Sequence, residues 1–178
     1  MRSNLIVTSL IVGAIGGVLV STSSASAQTT GNTPVTFQVG QGSLEITVPT
    51  ATADLGTVPV SGSAQTVSAK LGDVTVIDNR GGTTGWTVQE NGVDFTGPQT
   101  ISVSAPGSST YNPGVISTTG TVTATGTVQT PIYPPSAVVN ATGVAGINTA
   151  SWNPTISITV PANALSGTYS STITHSVS

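Results

Sequence analysis

Alternation of apolar and polar side chains predicts β-strands in the middle of the chain. Residues 73–78 follow this two-residue period, and residues 85–89 follow it with Trp86 and Val88 on one face. Residues 79–82, with the sequence Asn-Arg-Gly-Gly, interrupt the alternation, and adjacent glycines are typical of a turn. The pattern therefore predicts a hairpin, which we expect to form the core of the domain.

This core hairpin is predicted to lie within residues 71–97. Asn91-Gly92 is a dipeptide typical of tight turns and is expected to end the second strand. The chain has only two tryptophans and two phenylalanines, and the stretch holds one of each, Trp86 and Phe95. Large aromatic side chains are the main contributors to a small core, so we expect the domain to be organised around this stretch.

The same alternation predicts strands before and after the hairpin. They are expected at residues 33–39, 43–48, 67–71, 100–104, 119–130, 155–160 and 168–177. The first two are expected to pair through Gly40-Gln41-Gly42. Residues 105–118, which contain two prolines and two glycines, are expected to form a loop, and the Gly/Ala-rich residues 137–150 a loop or an edge strand.

No segment shows the period of an amphipathic helix, and threonine, serine, valine and glycine dominate the composition. The strand pattern amounts to roughly nine to eleven strands. We therefore expect an all-β domain, an antiparallel β-sandwich of Greek-key type with no substantial helix outside residues 1–27.

Residues 1–27 have the features of a signal peptide. Arg2 provides the positive charge, residues 5–20 are mostly apolar or small, and Ala25-Ser26-Ala27 fits a cleavage site. A membrane anchor is the alternative, but the apolar run is short for a span. We expect an exported protein that begins at Gln28, with residues 28–178 forming a single domain and no membrane span after cleavage.

The charge balance excludes several classes of partner. Removal of residues 1–27 leaves Lys70 and Arg80 as the cations, against six carboxylates. Nucleic-acid binding and attachment to anionic lipids both require clustered positive charge, so neither is expected. The chain has no cysteine, so its core must stabilise it without disulfides.

Candidate catalytic and metal-binding chemistry is sparse. His175 is the sole histidine and lies in a strand pattern, so we interpret it as a half-buried strand residue. Asp73, Asp78 and Asp94 could bind Ca²⁺, but their spacing is not that of an EF-hand loop. We therefore expect no cofactor and no catalytic residue, and no enzymatic activity.

We interpret Arg80 and Trp86 as structural residues rather than as residues that contact a ligand. Asp78 lies two positions before Arg80, where its carboxylate could hold the guanidinium at the turn, and Gly81 follows directly. Trp86 shares its predicted face with Val88, so we favour a core anchor over an exposed platform that stacks on glycans.

Two groups of residues resemble the WxL-domain family, secreted proteins of Gram-positive bacteria that attach non-covalently to the cell wall. The first comprises residues 78–82, 85–88 and 94–96, and the second is the closing strand with the Gly167-Thr168-Tyr169 triplet before it. The resemblance extends over residues 42–178. It implies an extracellular location at the cell wall or cell surface, with peptidoglycan or a cell-surface protein as the partner.

The chain departs from the family pattern at two positions. Val88 occupies the place of the leucine in the first Trp-any-Leu motif, and His175-Ser176-Val177 occupies the place of the second motif. If these motifs touch the wall, the resemblance implies that Trp86, Val88, His175 and Val177 make the contact.

Three functions of different class follow. The first is a non-catalytic module bound to the wall or to a wall-associated partner. The second is a self-associating adhesin or fibre subunit, because the Thr/Val-rich residues 119–130 could offer an open strand edge without Lys or Glu. The third is a secreted hydrolase, for which the sequence offers only His175 and no recognisable pair of carboxylates.

Overall fold

The computed structural model describes residues 30–178, and the predicted signal peptide, residues 1–27, lies outside them. Residues 39–178 form a compact unit with nine described strands. The strands are β1 (Leu44–Thr47), β2 (Gln65–Lys70), β3 (Val74–Asp78), β4 (Trp86–Gly92), β5 (Ser109–Asn112), β6 (Ile116–Gly126), β7 (Ser136–Trp152), β8 (Thr155–Val160) and β9 (Ile173–Val177). Every strand pairing is antiparallel, which confirms the predicted all-β class.

The strands form two sheets that contribute to one hydrophobic core. The larger sheet has the order β1-β3-β7-β4-β9, with β6 added to β7, and the smaller has the order β2-β8-β5. Val76 and Trp86 from the larger sheet lie in the same buried cluster as Tyr111 and Ile156 from the smaller one. Sandwich packing and Greek-key connectivity stay predictions.

The predicted core hairpin is wrong, because β3 and β4 do not pair with each other. Residues 74–78 of β3 pair with residues 148–152 of β7, and β4 pairs with residues 136–141 of β7. The other edge of β7 pairs with β6 over residues 139–152. β3 and β4 therefore lie end to end along one edge of β7, as two halves of an interrupted strand. We call residues 79–85 the strand break.

The expectation of a loop or edge at residues 137–150 is also wrong, because this segment belongs to β7, which is the central strand of the larger sheet. Its small side chains suit that position. Ala141 and Ala150 are buried, and the side chain of a larger residue would have to compete for space with the aromatic core. Composition indicated weak strand propensity, but burial between two neighbouring strands decided the outcome.

The prediction of a loop at residues 105–118 is the third expectation that is wrong. The predicted loop at residues 105–118 contains β5 and the start of β6, and Tyr111 is fully buried. Residues 127–130, predicted as part of a strand, instead leave β6, and Gln129 forms a single bridge to Tyr111. The prolines and glycines at residues 106–107 and 113–114 flank the short strand and do not exclude it.

Two predicted turns are absent. Residues 33–39 form no strand, so the expected hairpin through residues 40–42 does not form, and β1 pairs with β3 instead. Asn91 and Gly92 continue β4 rather than turning. A Cβ atom at Gly92 would overlap the Ile132 side chain, so this glycine is needed for close packing rather than for a turn.

The remaining strand predictions agree with the structure to differing extents. Residues 155–160 match β8, and residues 67–71 overlap β2. Residues 100–104 make only one isolated bridge, at Ile101, and the closing strand begins at Ile173. No helix in residues 30–178 is long and apolar enough to cross a membrane.

Candidate functional site

Arg80 joins the two sides of the strand break. Its Nε donates to Asp78 Oδ1 at 2.9 Å and its Nη2 to Asp78 Oδ2 at 3.1 Å, a two-pronged ion pair at the end of β3. The same Nη2 donates to the carbonyl oxygen of Gly85, directly before β4, at 3.2 Å. The predicted contact between Asp78 and Arg80 is confirmed, although the site is an interrupted strand and not a hairpin turn.

Asp78 connects this ion pair to the core. Its carboxylate is 1% exposed, and Oδ2 also accepts from Asn148 Nδ2 at 3.3 Å. Asn148 Oδ1 in turn accepts from Trp86 Nε1 at 3.1 Å. Hydrogen bonds from Arg80 hold the pKa of Asp78 below its usual value, so the group stays ionised. These four residues, Asp78, Arg80, Trp86 and Asn148, form what we call the motif network.

Glycines allow the chain to make the break. Gly81 and Gly82 have φ values of 72° and 74°, in the left-handed region that residues with a Cβ atom rarely adopt. The carbonyl oxygen of Gly82 accepts from Gly146 N at 2.8 Å, which ties the break to the middle of β7. Gly81 is thus needed for backbone geometry, as its place beside Arg80 in the motif indicated.

A shallow groove of about 250 Å³ lies beside the motif network. It is lined by Asn79, Thr119, Gly120, Ile147, Asn148 and Thr149. None of these side chains carries a charge. The Asn79 amide can both donate and accept hydrogen bonds, the hydroxyls of Thr119 and Thr149 are hydrogen-bonded to each other, and the Asn148 amide is engaged in the motif network. Asn79 was part of the quoted motif, but sequence reasoning did not place residues of β6 and β7 around it, because that proximity arises only from strand pairing.

A second polar cluster lies inside the domain, between the two sheets. Tyr111 accepts from Trp152 Nε1 at 3.0 Å, and its hydroxyl lies 2.9 Å from His175 Nε2. Because the indole N–H of Trp152 donates to a lone pair of the Tyr111 oxygen, the hydroxyl hydrogen of Tyr111 is free to be donated to the neutral imidazole of His175. Burial lowers the pKa of His175 to about 4, which favours this neutral form. The expected half-buried strand histidine is confirmed.

Glu90 belongs to the same cluster and was missed by sequence reasoning. It lies directly opposite His175 in the β4–β9 ladder and is fully buried. Within residues 30–178, neither carboxyl oxygen of Glu90 has a hydrogen-bond partner, and burial raises the pKa of Glu90 to about 8. Glu90 is therefore mainly protonated at neutral pH. Extending the Trp86/Val88 alternation by one more step would have placed it on the buried face.

The four residues implied as wall contacts all face the interior. Trp86 and Val88 are 2% and 0% exposed, so a wall polymer could not reach them in this structure. His175 and Val177 are half-buried, and Val177 packs against the core. Burial confirms Trp86 as a core anchor and does not support these side chains as the contact surface.

The candidate Ca²⁺ ligands do not come together. Asp78 is paired with Arg80, Asp94 Oδ1 accepts from Val103 N at 2.9 Å, and Asp73 is exposed. Among residues 30–178, no three His, Cys, Asp or Glu residues are placed to hold a metal ion. In the same part of the chain, the side-chain hydrogen bond of His175 is to Tyr111 and not to a serine or a carboxylate.

Comparison of the chain with protein-family models, with curated proteins and with solved structures found no match.

Proposed function

We propose that this protein is an exported, non-catalytic cell-surface module that associates non-covalently with the bacterial cell wall. The observation that carries the proposal is the uncharged groove beside the motif network. Of the residues that carry the WxL resemblance, Asp78, Arg80 and Trp86 act together in this network beside the groove, whereas Asn79 lines the groove itself.

The chemistry of the groove fits a neutral, hydroxyl-rich polymer such as the glycan of peptidoglycan. Asn79, Thr119 and Thr149 offer amide and hydroxyl groups, and the exposed Ile147 offers an apolar surface for a sugar face. The cations Lys70 and Arg80 do not line the groove. Binding should therefore depend on hydrogen bonds and packing, and salt should change it little.

Sedimentation with purified wall sacculi tests this proposal. We expect the exported chain to sediment with the sacculi, with similar retention at low and high salt. Asn79→Ala should weaken retention by about two- to tenfold, the effect of one hydrogen bond. Asn79 is exposed, so the fold should be unaffected.

Asn163→Ala is the matched control, because Asn163 is also exposed but lies away from the groove. Sacculi extracted with acid to remove accessory polymers distinguish peptidoglycan from those polymers as the ligand. Equal retention of both variants would exclude the groove, and the absence of sedimentation by the folded wild type would exclude wall binding.

Self-association is a second candidate function, and the position of β6 favours it. In the part of the chain that the structure describes, β6 pairs with β7 alone, so its other edge is open. The strand has 11 residues without charge or proline. Such an edge lacks the charged residues and prolines by which proteins usually prevent pairing with another chain.

A further inference from the structure

Residues 33–39 have the pattern of a strand, but they pair with no strand in the part of the chain that the structure describes. Val35, Phe37 and Val39 alternate with polar residues, and their exposed fractions are 89%, 90% and 80%. A single exposed apolar residue is ordinary, whereas three on one face of a strand-like segment indicate a surface that is covered in another state. We call residues 33–39 the N-terminal segment.

The open edge of β6 has a complementary pattern. Ile116, Val122 and Ala124 pack against the core but stay partly exposed, because no further strand covers them. Val115 and Val128, on either side of the strand, are 88% and 51% exposed. An added strand with one apolar face would extend the core over these side chains while its backbone paired with the open edge.

The geometry of β6 limits where such a strand could pair. Register shifts between β6 and β7 occur from Gly120 to Thr123, and bulges of this kind distort an edge. Residues 116–119 stay regular, with four consecutive residues in register with β7, whereas Gly120 has a φ of 76°. The N-terminal segment has seven residues and is long enough to cover this stretch.

Electrostatics does not oppose the pairing. The N-terminal segment and β6 contain no charged residue, so contact between them desolvates no charge. The negative charge of the rest of the chain is spread over few residues and is screened at physiological salt.

We propose that copies of this chain assemble by strand exchange, in which the N-terminal segment of one molecule adds to the open edge of β6 in the next. This inference rests on the second proposed function, self-association, and names the two surfaces that perform it. The two surfaces differ, so the contact is head-to-tail and can extend into a chain of subunits.

The first experiment measures molecular mass against concentration for the exported full chain, by light scattering or sedimentation. We expect the wild type to form species larger than a monomer as concentration rises. Phe37→Asp places a charge on the apolar face and should raise the midpoint concentration of assembly by at least about tenfold. Thr36→Asp adds the same charge on the opposite face and should leave the midpoint near the wild-type value.

A second experiment locates the contact by cross-linking, since the chain has no cysteine of its own. Thr36→Cys in one tagged protein and Ser117→Cys in a differently tagged protein should form a mixed disulfide under mild oxidation. Ser117 lies on the solvent side of the regular part of β6. Ser68→Cys, on the exposed side of the edge strand β2, is the control and should not cross-link to Thr36→Cys.

The outcomes separate the two proposals. A wild type that stays monomeric at all concentrations would overturn both self-association and strand exchange. Assembly that is equally sensitive to Phe37→Asp and Thr36→Asp, or cross-linking to Ser68→Cys in preference to Ser117→Cys, would overturn strand exchange and leave self-association standing. Unchanged thermal unfolding of the aspartate variants would show that the domain itself is intact.

Discussion

Arg80 has a structural task that no other described side chain could take over. It binds both oxygens of the buried Asp78 carboxylate and also reaches the carbonyl oxygen before β4. A planar guanidinium can make these directed contacts together, whereas the ammonium of lysine is a single point of charge. The motif is therefore explained by the need to pair a buried carboxylate where a strand is interrupted.

Removing this guanidinium should destabilise the protein. Arg80→Ala leaves the Asp78 carboxylate buried without its main partner, and we expect a loss of roughly 1.5–3 kcal/mol in the free energy of unfolding. Urea denaturation of the wild type and of Arg80→Ala measures this loss. Lys70→Ala removes the other described cation from an exposed position and should change stability by less than about 0.5 kcal/mol. Equal denaturation midpoints for the two variants would contradict a structural role for the ion pair.

The interrupted strand is the main feature at the scale of elements. β3 and β4 share one edge of β7. The strand break between them contains Arg80 of the motif network, and its Asn79 lines the groove. β7 spans both halves with its 17 residues and so holds them in line. The end of β4 is fixed by packing, because the Cβ position of Gly92 is occupied by the side chains of Ile132 and Ile173.

Gly92→Ala should therefore destabilise the end of β4. The added methyl group has to displace Ile132 or Ile173, and overpacking of a filled site typically costs about 1–3 kcal/mol. Thermal unfolding checks this value. Gly62→Ala is the matched control, because a Cβ atom there meets nothing within 4 Å, and its effect should be small. An unchanged melting temperature for Gly92→Ala would show that the site is not filled.

At the scale of the whole molecule, the buried cluster of Glu90, Tyr111 and His175 makes stability depend on pH. The pKa of Glu90 is raised from 4.5 to about 8 in the folded state. The unfolded state therefore loses this proton at a lower pH than the folded state, and stability falls as the pH rises from 4.5 to about 8. The pKa of His175 is lowered from 6.5 to about 4 in the folded state. The unfolded state therefore binds this proton at a higher pH than the folded state, and stability falls as the pH drops below 6.5. The two effects offset each other between pH 4.5 and 6.5.

We therefore expect maximal stability in that window and a loss of roughly 1.4 kcal/mol per pH unit between pH 6.5 and 8. Glu90→Gln removes the ionisable group and should abolish this alkaline loss. Denaturant unfolding across the pH range is the measurement. Glu45→Gln makes the same chemical change at an exposed position and should keep the wild-type profile. A Glu90→Gln profile that still falls above pH 6.5 would assign the loss to another group.

The sequence alone determined the fold class and several local features, because these depend on short-range patterns. Two-residue alternation and the scarcity of helix-forming periodicity were sufficient for the antiparallel all-β class and for β8 within its observed bounds. The sequence also predicted the contact between Asp78 and Arg80, since the two residues are only two positions apart at the end of a strand. The burial of Trp86 followed from the apolar neighbour on its face.

Only the tertiary structure decided which strands pair and which polar groups meet. β7 pairs with both β3 and β4 although its small residues indicated a loop, because burial between two neighbours outweighs local propensity. Glu90, His175 and Tyr111 lie on three different strands, and the groove combines residues up to 70 positions apart, from Asn79 to Thr149. Such proximity is set by long-range pairing, which a local pattern of hydrophobic and polar positions does not encode.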